Sequence, residues 1–337
     1  MVAIQSIRAF NSTLKSRPGG TVAVFVGATS GIGLGTLKAF VKNSNAPKVY
    51  VIGRSKKRFS SDLSSLSTSN PSANISFIET EISLIKNVDT ACKEILSQES
   101  KVDLLYMSPG YLTLNGREET SEGIDQLHSL RYYARIRFIT NLLPALEKSP
   151  SPRVVSVLAA GNEGKADFDD LDLKKNQSFI RAADQSTTMM TLALEELGTA
   201  HPTVSFVHTF PGLVNTDLMG NFFGKTKGVW GILTGILSWT MLPIMKIFTA
   251  TVEEAGDRHC FYLTSDFYPS KKQIEEGQGV NHKAGSTDGG ISGVYRVDPK
   301  GETLTDDKIL GPYRAEGKGK VLKEHTKAVF ESATAGI

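Results

Sequence analysis

The chain has 337 residues, of which 40% are hydrophobic and 22% are charged. Its 38 basic and 35 acidic residues nearly balance, which excludes the strongly basic surface that nucleic-acid binding requires. The two cysteines form no C-x-x-C motif and no histidines have metal-ligand spacing, so we expect neither disulfides nor a metal site, and we predict a cytoplasmic protein.

Residues 1–20 predict a leading helix. Their apolar side chains follow a roughly helical spacing that ends at Pro-Gly-Gly, without the continuous apolar centre of a secretory signal. We expect this helix to pack on the rest of the protein; a basic targeting peptide is the alternative.

Seven apolar, β-branched runs alternate with helical patterns after residue 20. They span residues 21–27, 48–54, 74–80, 102–108, 153–159, 203–210 and 259–265. Continuous apolarity predicts strands buried on both faces, and the intervening helices predict parallel, right-handed crossovers. We therefore expect one α/β domain over residues 21–270, a Rossmann-like doubly wound parallel sheet of about seven strands with helices on both faces.

The remaining residues, 271–337, are predicted to form a C-terminal appendage packed on the same domain. The segment begins Gly-rich, continues with "VYRVDPKGE", which resembles a strand and turn, and ends in an amphipathic helix over 320–333. We expect no separate second domain.

The turn "GATSGIG" lies between the first strand and the first helix of this domain. Glycines allow a tight turn, and the start of the helix offers unpaired N–H groups and a positive dipole to a pyrophosphate. The candidate phosphate-binding residues are Gly27, Thr29, Ser30, Gly31, Ile32 and Gly33.

The spacing G-x-x-x-G-I-G resembles the cofactor turn of the short-chain dehydrogenase/reductase family. "PGLVNT" (211–216) resembles the family's P-G-x-V-x-T, and "MSPG" (107–110) stands where the family has N-N-A-G. The resemblance covers residues 20–265 and is closest to divergent members of secondary-metabolite producers such as fungi. It implies cofactor contacts from Gly110, Pro211, Gly212 and Thr216, and a homodimer through helices four and five.

Arg54 ends the second strand, where no acidic residue is present to bind a ribose 2′-hydroxyl. A guanidinium there can pair with a 2′-phosphate, so we predict NADP(H) rather than NAD(H) as the cofactor. An exposed basic loop without a ligand is the alternative.

The family's acid–base residues are missing. No Tyr or Lys occurs between residues 176 and 224, so the Tyr-x-x-x-Lys motif cannot be recovered by shifting the alignment. The family's tyrosine, lysine, serine and asparagine fall at Ser178 or Phe179, Ala182 or Ala183, Leu158 or Ala159, and Arg131. Ser156 precedes the serine position by two residues and is expected to lie deeper.

Three residues expected near the crevice at the strand ends are candidate substitutes. Tyr111 could donate a proton or simply line the pocket. Arg131 could stabilise an enolate or oxyanion, or form a salt bridge on its own helix. Glu163 could act as a base, or be a solvated loop residue. Tyr132, Tyr133 and His208 are further polar side chains near this rim, with a place in the core as the alternative for each.

The apolar stretch over about 219–250 is predicted to form a hydrophobic lid. Crossing a membrane would separate the last two predicted strands, so we prefer a lid over a bulky hydrophobic small-molecule substrate. A peripheral membrane contact and a dimer contact are the alternatives.

The sequence therefore predicts a noncanonical biosynthetic enzyme of this family. It would perform NADP(H)-dependent oxidoreduction, or a non-redox isomerisation, dehydration or cyclisation. A catalytically silent NADP(H)- or ligand-binding protein and a peripheral membrane interaction protein are the alternatives.

Overall fold

The computed structural model describes residues 2–113, 116–175, 177–214, 250–278, 282–287, 290–306 and 308–335. Its strands are β1 (Val22–Val26), β2 (Lys48–Gly53), β3 (Asn74–Glu79), β4 (Leu104–Met107), β5 (Arg153–Val157), β6 (Ser205–Thr209) and β7 (Val294–Val297). They form one sheet in the order β3-β2-β1-β4-β5-β6-β7, and every neighbouring pair is parallel. This is the expected doubly wound architecture.

The helices within the described residues cover both faces of the sheet. They are α1 (Ile4–Thr13), α2 (Gly31–Asn43), α3 (Lys56–Ser69), α4 (Ile85–Gln98), α5 (Gln126–His128), α6 (Ala134–Leu146), α7 (Phe179–Ala200), α8 (Val252–Thr264), α9 (Lys271–Glu275), α10 (Leu310–Ala315) and α11 (Lys318–Thr334). A 3-10 turn follows α1 at Leu14–Ser16, and a π-helical turn, Ser129–Tyr133, joins α5 to α6.

Side chains of each strand alternate between two separate hydrophobic cores. In β1, Val22, Val24 and Val26 face the core built with α4, α6, α7 and α11. Ala23 and Phe25 face the core built with α1, α2, α3 and α8. All five are buried, as expected for a strand covered by helices on both sides.

The strand predicted over residues 259–265 is wrong, because this segment is the second half of α8. A short apolar run fits a buried strand and a buried helix equally well. The deciding signal lies upstream: the Thr251 side chain accepts a hydrogen bond from the N–H of Glu254, in a T-x-x-E sequence that is typical of a helix start. Four of the helical residues that follow, including Cys260 and Phe261, are buried against α1 and α2.

The seventh strand comes instead from the C-terminal segment. β7 pairs with β6 at the edge of the sheet, and the predicted strand and turn of "VYRVDPKGE" are confirmed. The helix predicted over 320–333 is confirmed as α11, which packs on α4 and α7. The leading helix is also confirmed: α1 packs on α8, with Arg8 Nε 2.6 Å from Asp257 Oδ2.

The predicted lid, residues 219–250, lies outside the described residues except for its last position. Ala250 forms a parallel bridge with Val214. No helix in the described parts of the chain is both long and apolar enough to cross a membrane.

Candidate functional site

The glycine turn lies where the strand order reverses, between β1 and β4. A Cβ added to Gly27 would lie 2.6 Å from Cα of Pro109, and one added to Gly33 would lie 2.5 Å from Oγ of Ser108. Ser108 Oγ also donates to the carbonyl of Gly27 at 3.2 Å. Only glycine fits at these two positions, and the turn is held directly against the end of β4. Open α/β sheets bind their ligands at this point.

The start of α2 offers unpaired backbone N–H groups. Ser30 is the N-cap, and the first backbone hydrogen bond runs from Leu34 N to Ser30 O at 3.1 Å. The amides of Gly31, Ile32 and Gly33 precede that bond, and the Ser30 hydroxyl makes no capping bond. Three amides, a hydroxyl and the helix dipole suit a phosphate group. The residues present therefore fit the pyrophosphate of a dinucleotide.

Arg54 lies beside this turn at the end of β2. Thr29 packs against Gly53, the last residue of that strand: a Cβ added to Gly53 would lie 2.6 Å from the Thr29 methyl carbon. The Arg54 side chain is 74% exposed, and its Nη1 is 3.9 Å from Glu81 Oε2. A long, exposed ion pair of this kind contributes little, so the guanidinium can turn toward a ligand. Its predicted partner is the 2′-phosphate of NADP(H).

Tyr111 follows Gly110 at the end of β4. Its hydroxyl donates to Gln126 Oε1 at 3.0 Å, and the side chain is half-buried. Burial raises the pKa of Tyr111, with a smaller contribution from the carboxylates of Glu118 and Asp125. The phenol therefore keeps its proton, and a turn of the side chain would be needed to offer it to a substrate.

The Pro-Gly motif follows β6. Phe210 N donates to Val297 O at 2.9 Å, which continues the ladder with β7 one residue past Thr209. A cavity of about 280 Å³ lies beside Pro211 and is lined by Phe210, Ala250, Glu254, Ala255, Arg258, His259, Tyr262 and Pro299. Gly212 packs on Pro299. Thr216 lies outside the described residues, so its contact with the cofactor stays a prediction.

Helix α7 begins where the family's tyrosine would stand. Ser178 is its N-cap and accepts a hydrogen bond from Arg181 N, and Phe179 is its first residue. Ala182, one of the two positions for the lysine, is buried. Neither an acid nor an amine is available from the first turn of this helix.

Glu163 belongs to a buried chain of hydrogen bonds. Its Oε1 accepts from Thr191 Oγ1 at 2.8 Å, and its Oε2 accepts from Gly161 N at 2.9 Å and from Arg296 Nη1 at 3.3 Å. The carboxylate side chain is 3% exposed and that of Arg296 is 2% exposed. Glu163 is thus a buried ion-pair partner and not a solvated loop residue. Its role as a base stays a prediction.

The same chain of hydrogen bonds determines which ring nitrogen of His208 carries the proton. Thr191 has one hydroxyl hydrogen, which it donates to Glu163, so it accepts from His208 Nδ1 at 2.8 Å. Ala159 N approaches the other ring nitrogen, Nε2, at 3.4 Å. Burial, together with the nearby charges of Arg135 and Arg296, lowers the pKa of His208 to about 3. The histidine is neutral and carries its proton on Nδ1.

Arg135 is a fully buried cation at the ends of β4 and β5. It donates to neutral oxygens only: the carbonyls of Leu130, Met107, Pro109 and Val157, and Oγ of Ser156. Burial lowers the pKa of Arg135 to about 9, and the nearby charge of Arg131 acts in the same direction. The Ser156 hydroxyl oxygen accepts from Arg135 Nη1 at 2.8 Å.

Arg131 lies one helical turn before Arg135, in the π-helical turn. Within the described residues it forms no salt bridge, on its own helix or elsewhere, and its Nη1 is buried without a hydrogen-bond partner. The alternative of a salt bridge on its own helix is therefore wrong. Short π-helical turns are frequent at functional sites.

Tyr132 and Tyr133 point away from these residues, toward α11. Tyr132 Oη bonds Thr326 Oγ1 at 2.8 Å, and Tyr133 Oη bonds Asp172 Oδ1 and His325 Nε2 at 2.5 and 2.9 Å. Both rings are buried in the core. They hold α11 and the loop after β5 against the helix that carries Arg131.

Sequence reasoning missed three residues of this site: Arg135, Thr191 and Arg296. Arg135 had a signal, because it interrupts the apolar pattern of α6 four residues after Arg131. Thr191 and Arg296 had none. Arg296 lies 133 residues from Glu163 along the chain, and only the folded sheet brings the pair together.

Known proteins resemble this chain over most of its length. The sequence profile described as short chain dehydrogenase matches residues 21–226. Oxidoreductase AN1596 of Emericella nidulans is 41% identical over 99% of this chain and 99% of its own length. Oxidoreductase lepF of Aspergillus flavus is 36% identical over 98% of each chain. Short-chain dehydrogenase/reductase SAT2 of Stachybotrys chartarum is 32% identical over 79% of this chain and 78% of its own.

Solved structures share the fold. NADPH-bound carbonyl reductase from chicken fatty liver superposes with a TM-score of 0.53 at 18% identity, over 86% of this chain and 100% of that chain. Levodione reductase superposes with a TM-score of 0.57 at 15% identity, over 74% and 93%. The resemblance drawn from the glycine turn is thereby confirmed: the chain belongs to the short-chain dehydrogenase/reductase family of oxidoreductases.

Proposed function

We propose that the protein is an NADP(H)-dependent oxidoreductase that acts on a bulky hydrophobic small molecule in secondary-metabolite biosynthesis. The observation that carries this proposal is the start of α2, where three unpaired amides lie at the switch point of the sheet beside Arg54. Fungal relatives named as oxidoreductases support it, as do two solved reductase structures of the same fold that hold NADPH.

The bound cofactor would supply or accept a hydride. The amides of Gly31, Ile32 and Gly33 hold the pyrophosphate, and Arg54 pairs with the 2′-phosphate. Pro211 and the residues after it hold the nicotinamide end. In this arrangement backbone groups bind the pyrophosphate, which every dinucleotide has. One side chain, Arg54, selects the form that carries a 2′-phosphate.

Tyr111 and Arg131 replace the missing acid–base residues in this proposal. The Tyr111 hydroxyl keeps its proton because burial raises its pKa, and it follows the strand end that lines the crevice. Arg131 supplies the positive charge for a developing oxyanion. The lid predicted over residues 219–250 lies outside the described residues except Ala250, and its place over a hydrophobic substrate stays a prediction.

The cofactor assignment is tested by titrating NADPH and NADH and following their fluorescence. Arg54→Ala is expected to weaken NADPH binding about tenfold, because one charge-assisted pair is lost, and to leave NADH binding unchanged. Arg58→Ala is the matched control, since it removes the same charge from an exposed position on α3. Equal loss in both variants, or no binding of NADPH to the wild type, would overturn the assignment.

A catalytically silent NADP(H)- or ligand-binding protein is the second candidate. It is favoured by the residues at the positions of the family's tyrosine (Ser178 or Phe179) and lysine (Ala182 or Ala183), none of which carries a phenol or an amine. NADPH consumption with a panel of hydrophobic ketones and enones separates the two: turnover that falls in Tyr111→Phe supports the enzyme, and binding without conversion supports the silent protein. Conversion without NADPH consumption would instead identify the non-redox chemistry. Homodimer formation and peripheral membrane contact stay predictions.

A further inference from the structure

Arg131 is buried without a partner. Only 6% of its surface is exposed, Nη1 contacts no acceptor, and within the described residues its side chain forms neither a hydrogen bond nor an ion pair. Buried polar groups in folded proteins are almost always paired, and a buried, unpaired charge is especially costly. An unpaired guanidinium therefore requires an explanation.

The neighbouring carboxylate does not supply one. Asp125 favours the charged form of Arg131 at a distance, but its two oxygens accept hydrogen bonds from His128 N at 2.8 Å and Glu118 N at 3.0 Å. Arg135, one turn further on, adds a second cation that donates to neutral oxygens only. Both charges are thus uncompensated by any described carboxylate within ion-pair distance.

The position of Arg131 points to the crevice. In a parallel crossover the helix begins at the edge where the preceding strand ends, so the first turns of this helical segment lie beside the ends of β4 and β5. Arg135 already contacts Pro109 O and Val157 O, the residues at those ends. Arg131 lies one turn nearer the helix start, and helical side chains lean that way. Among the described residues, no atom lies within 4 Å of a Cβ added to Gly110, which follows the end of β4.

We propose that Arg131 binds an anionic group of the substrate: a carboxylate or an enolate whose two oxygens share the charge. A planar guanidinium matches such a pair of oxygens with two parallel hydrogen bonds, and Arg135 adds to the positive field behind it. The inference rests on the proposed function and narrows its substrate class to hydrophobic acids or acidic 1,3-dicarbonyls. The bound anion would supply the partner that Arg131 lacks.

The test compares an acid with its neutral isostere. Binding of trans-cinnamate and cinnamamide is measured by calorimetry, with and without saturating NADP⁺. The wild type is expected to bind the acid about tenfold more tightly than the amide. Arg131→Met is expected to bind both equally, whereas Arg131→Lys retains part of the preference because it keeps the charge. The measurements without NADP⁺ test the role of Arg131 independently of the cofactor. If NADP⁺ does not bind but the preference for cinnamate depends on Arg131, only the proposed function is overturned.

Arg137→Met is the matched control, because Arg137 lies on α6 but its charge is already paired with Asp89 through two bonds of 2.5 and 2.7 Å. The preference for cinnamate should persist in this variant. Equal binding of the two probes by the wild type, or a preference that survives in Arg131→Met, would overturn the proposal.

Thermal stability separates ligand binding from a structural role. Removing an unpaired buried charge relieves its desolvation, so Arg131→Met should melt at or above the wild-type temperature without ligand. A lower melting temperature would show that Arg131 holds the fold together, and would also count against the proposal. Arg137→Met is expected to melt lower, because it strands Asp89.

Discussion

The two ends of the crevice are built differently. At the proposed phosphate end, glycines and unpaired amides at the start of α2 form the candidate site, and backbone groups would do the binding. At the other end, the loops and helices around β4 to β7 carry buried side chains: two arginines without carboxylate partners, and a chain from Arg296 to His208. The comparison teaches that a turn built from backbone geometry can persist where particular side chains, here the family's tyrosine and lysine, have been replaced.

The largest expected effect comes from the side-chain end. Glu163→Gln should lower the free energy of unfolding by about 3–5 kcal/mol, because it leaves the buried Arg296 without its carboxylate. The measurement is urea denaturation at neutral pH. The double variant Glu163→Leu, Arg296→Met removes both charges and should recover most of the loss. If Glu163→Gln were as stable as the wild type, the ion pair would not be the link that joins β7 to the loop after β5.

The second effect depends on pH and on His208. Burial lowers its pKa to about 3 in the folded protein, whereas an unfolded histidine titrates near 6.5. Below about pH 6.5, His208 binds a proton in the unfolded chain but not in the folded protein, so stability is lost as the pH falls from 6.5 toward 3. The slope from this one residue is about 1.4 kcal/mol per pH unit.

His208→Asn should remove that part of the slope between pH 4.5 and 6.5, as measured by denaturation at each pH. Thr191→Val is the control, because it breaks the hydrogen bond to the ring but leaves a buried histidine, and it should keep the slope. An unchanged slope in His208→Asn would mean that the ring is protonated in the folded state. Nε2 would then carry a proton as well as Nδ1, and it could not accept from Ala159 N.

The same contrast explains what the sequence could predict. The seven strands of the sheet and the glycine turn were found because their signals are local: apolar runs, and glycines at a fixed spacing. The strand predicted over 259–265 was wrong because a run of four or five apolar residues is compatible with either a helix or a strand. Thr251 and Glu254 nevertheless marked a helix start. The buried pairs could not be predicted, since Glu163 and Arg296 meet only through the order of β5, β6 and β7.

The third effect concerns the phosphate end. Gly27→Ala should destabilise the protein by about 1–3 kcal/mol beyond backbone strain, because the added Cβ would lie 2.6 Å from Cα and N of Pro109. Gly20→Ala is the matched control: its φ of +83° is close to the +73° of Gly27, but its Cβ would meet no atom within 4 Å. It should show only the strain, roughly 1 kcal/mol. Equal losses in both variants, measured by urea denaturation, would remove the argument for a close approach of β1 and β4.

The smallest effect compares two helix caps. Ser30 makes no capping bond, so Ser30→Ala should change the unfolding free energy by less than about 0.5 kcal/mol and weaken NADPH binding about fivefold to tenfold, because its hydroxyl is kept for phosphate. Ser270 caps α9 with a full capping box far from the turn, and Ser270→Ala should cost about 1 kcal/mol of stability with NADPH affinity unchanged. Ser30→Ala is thus expected to weaken NADPH binding with little loss of stability, whereas Ser270→Ala is expected to lower stability without changing NADPH binding. A Ser30→Ala protein that loses stability but binds NADPH normally would make Ser30 an ordinary cap and leave the amides of α2 as the phosphate site by themselves.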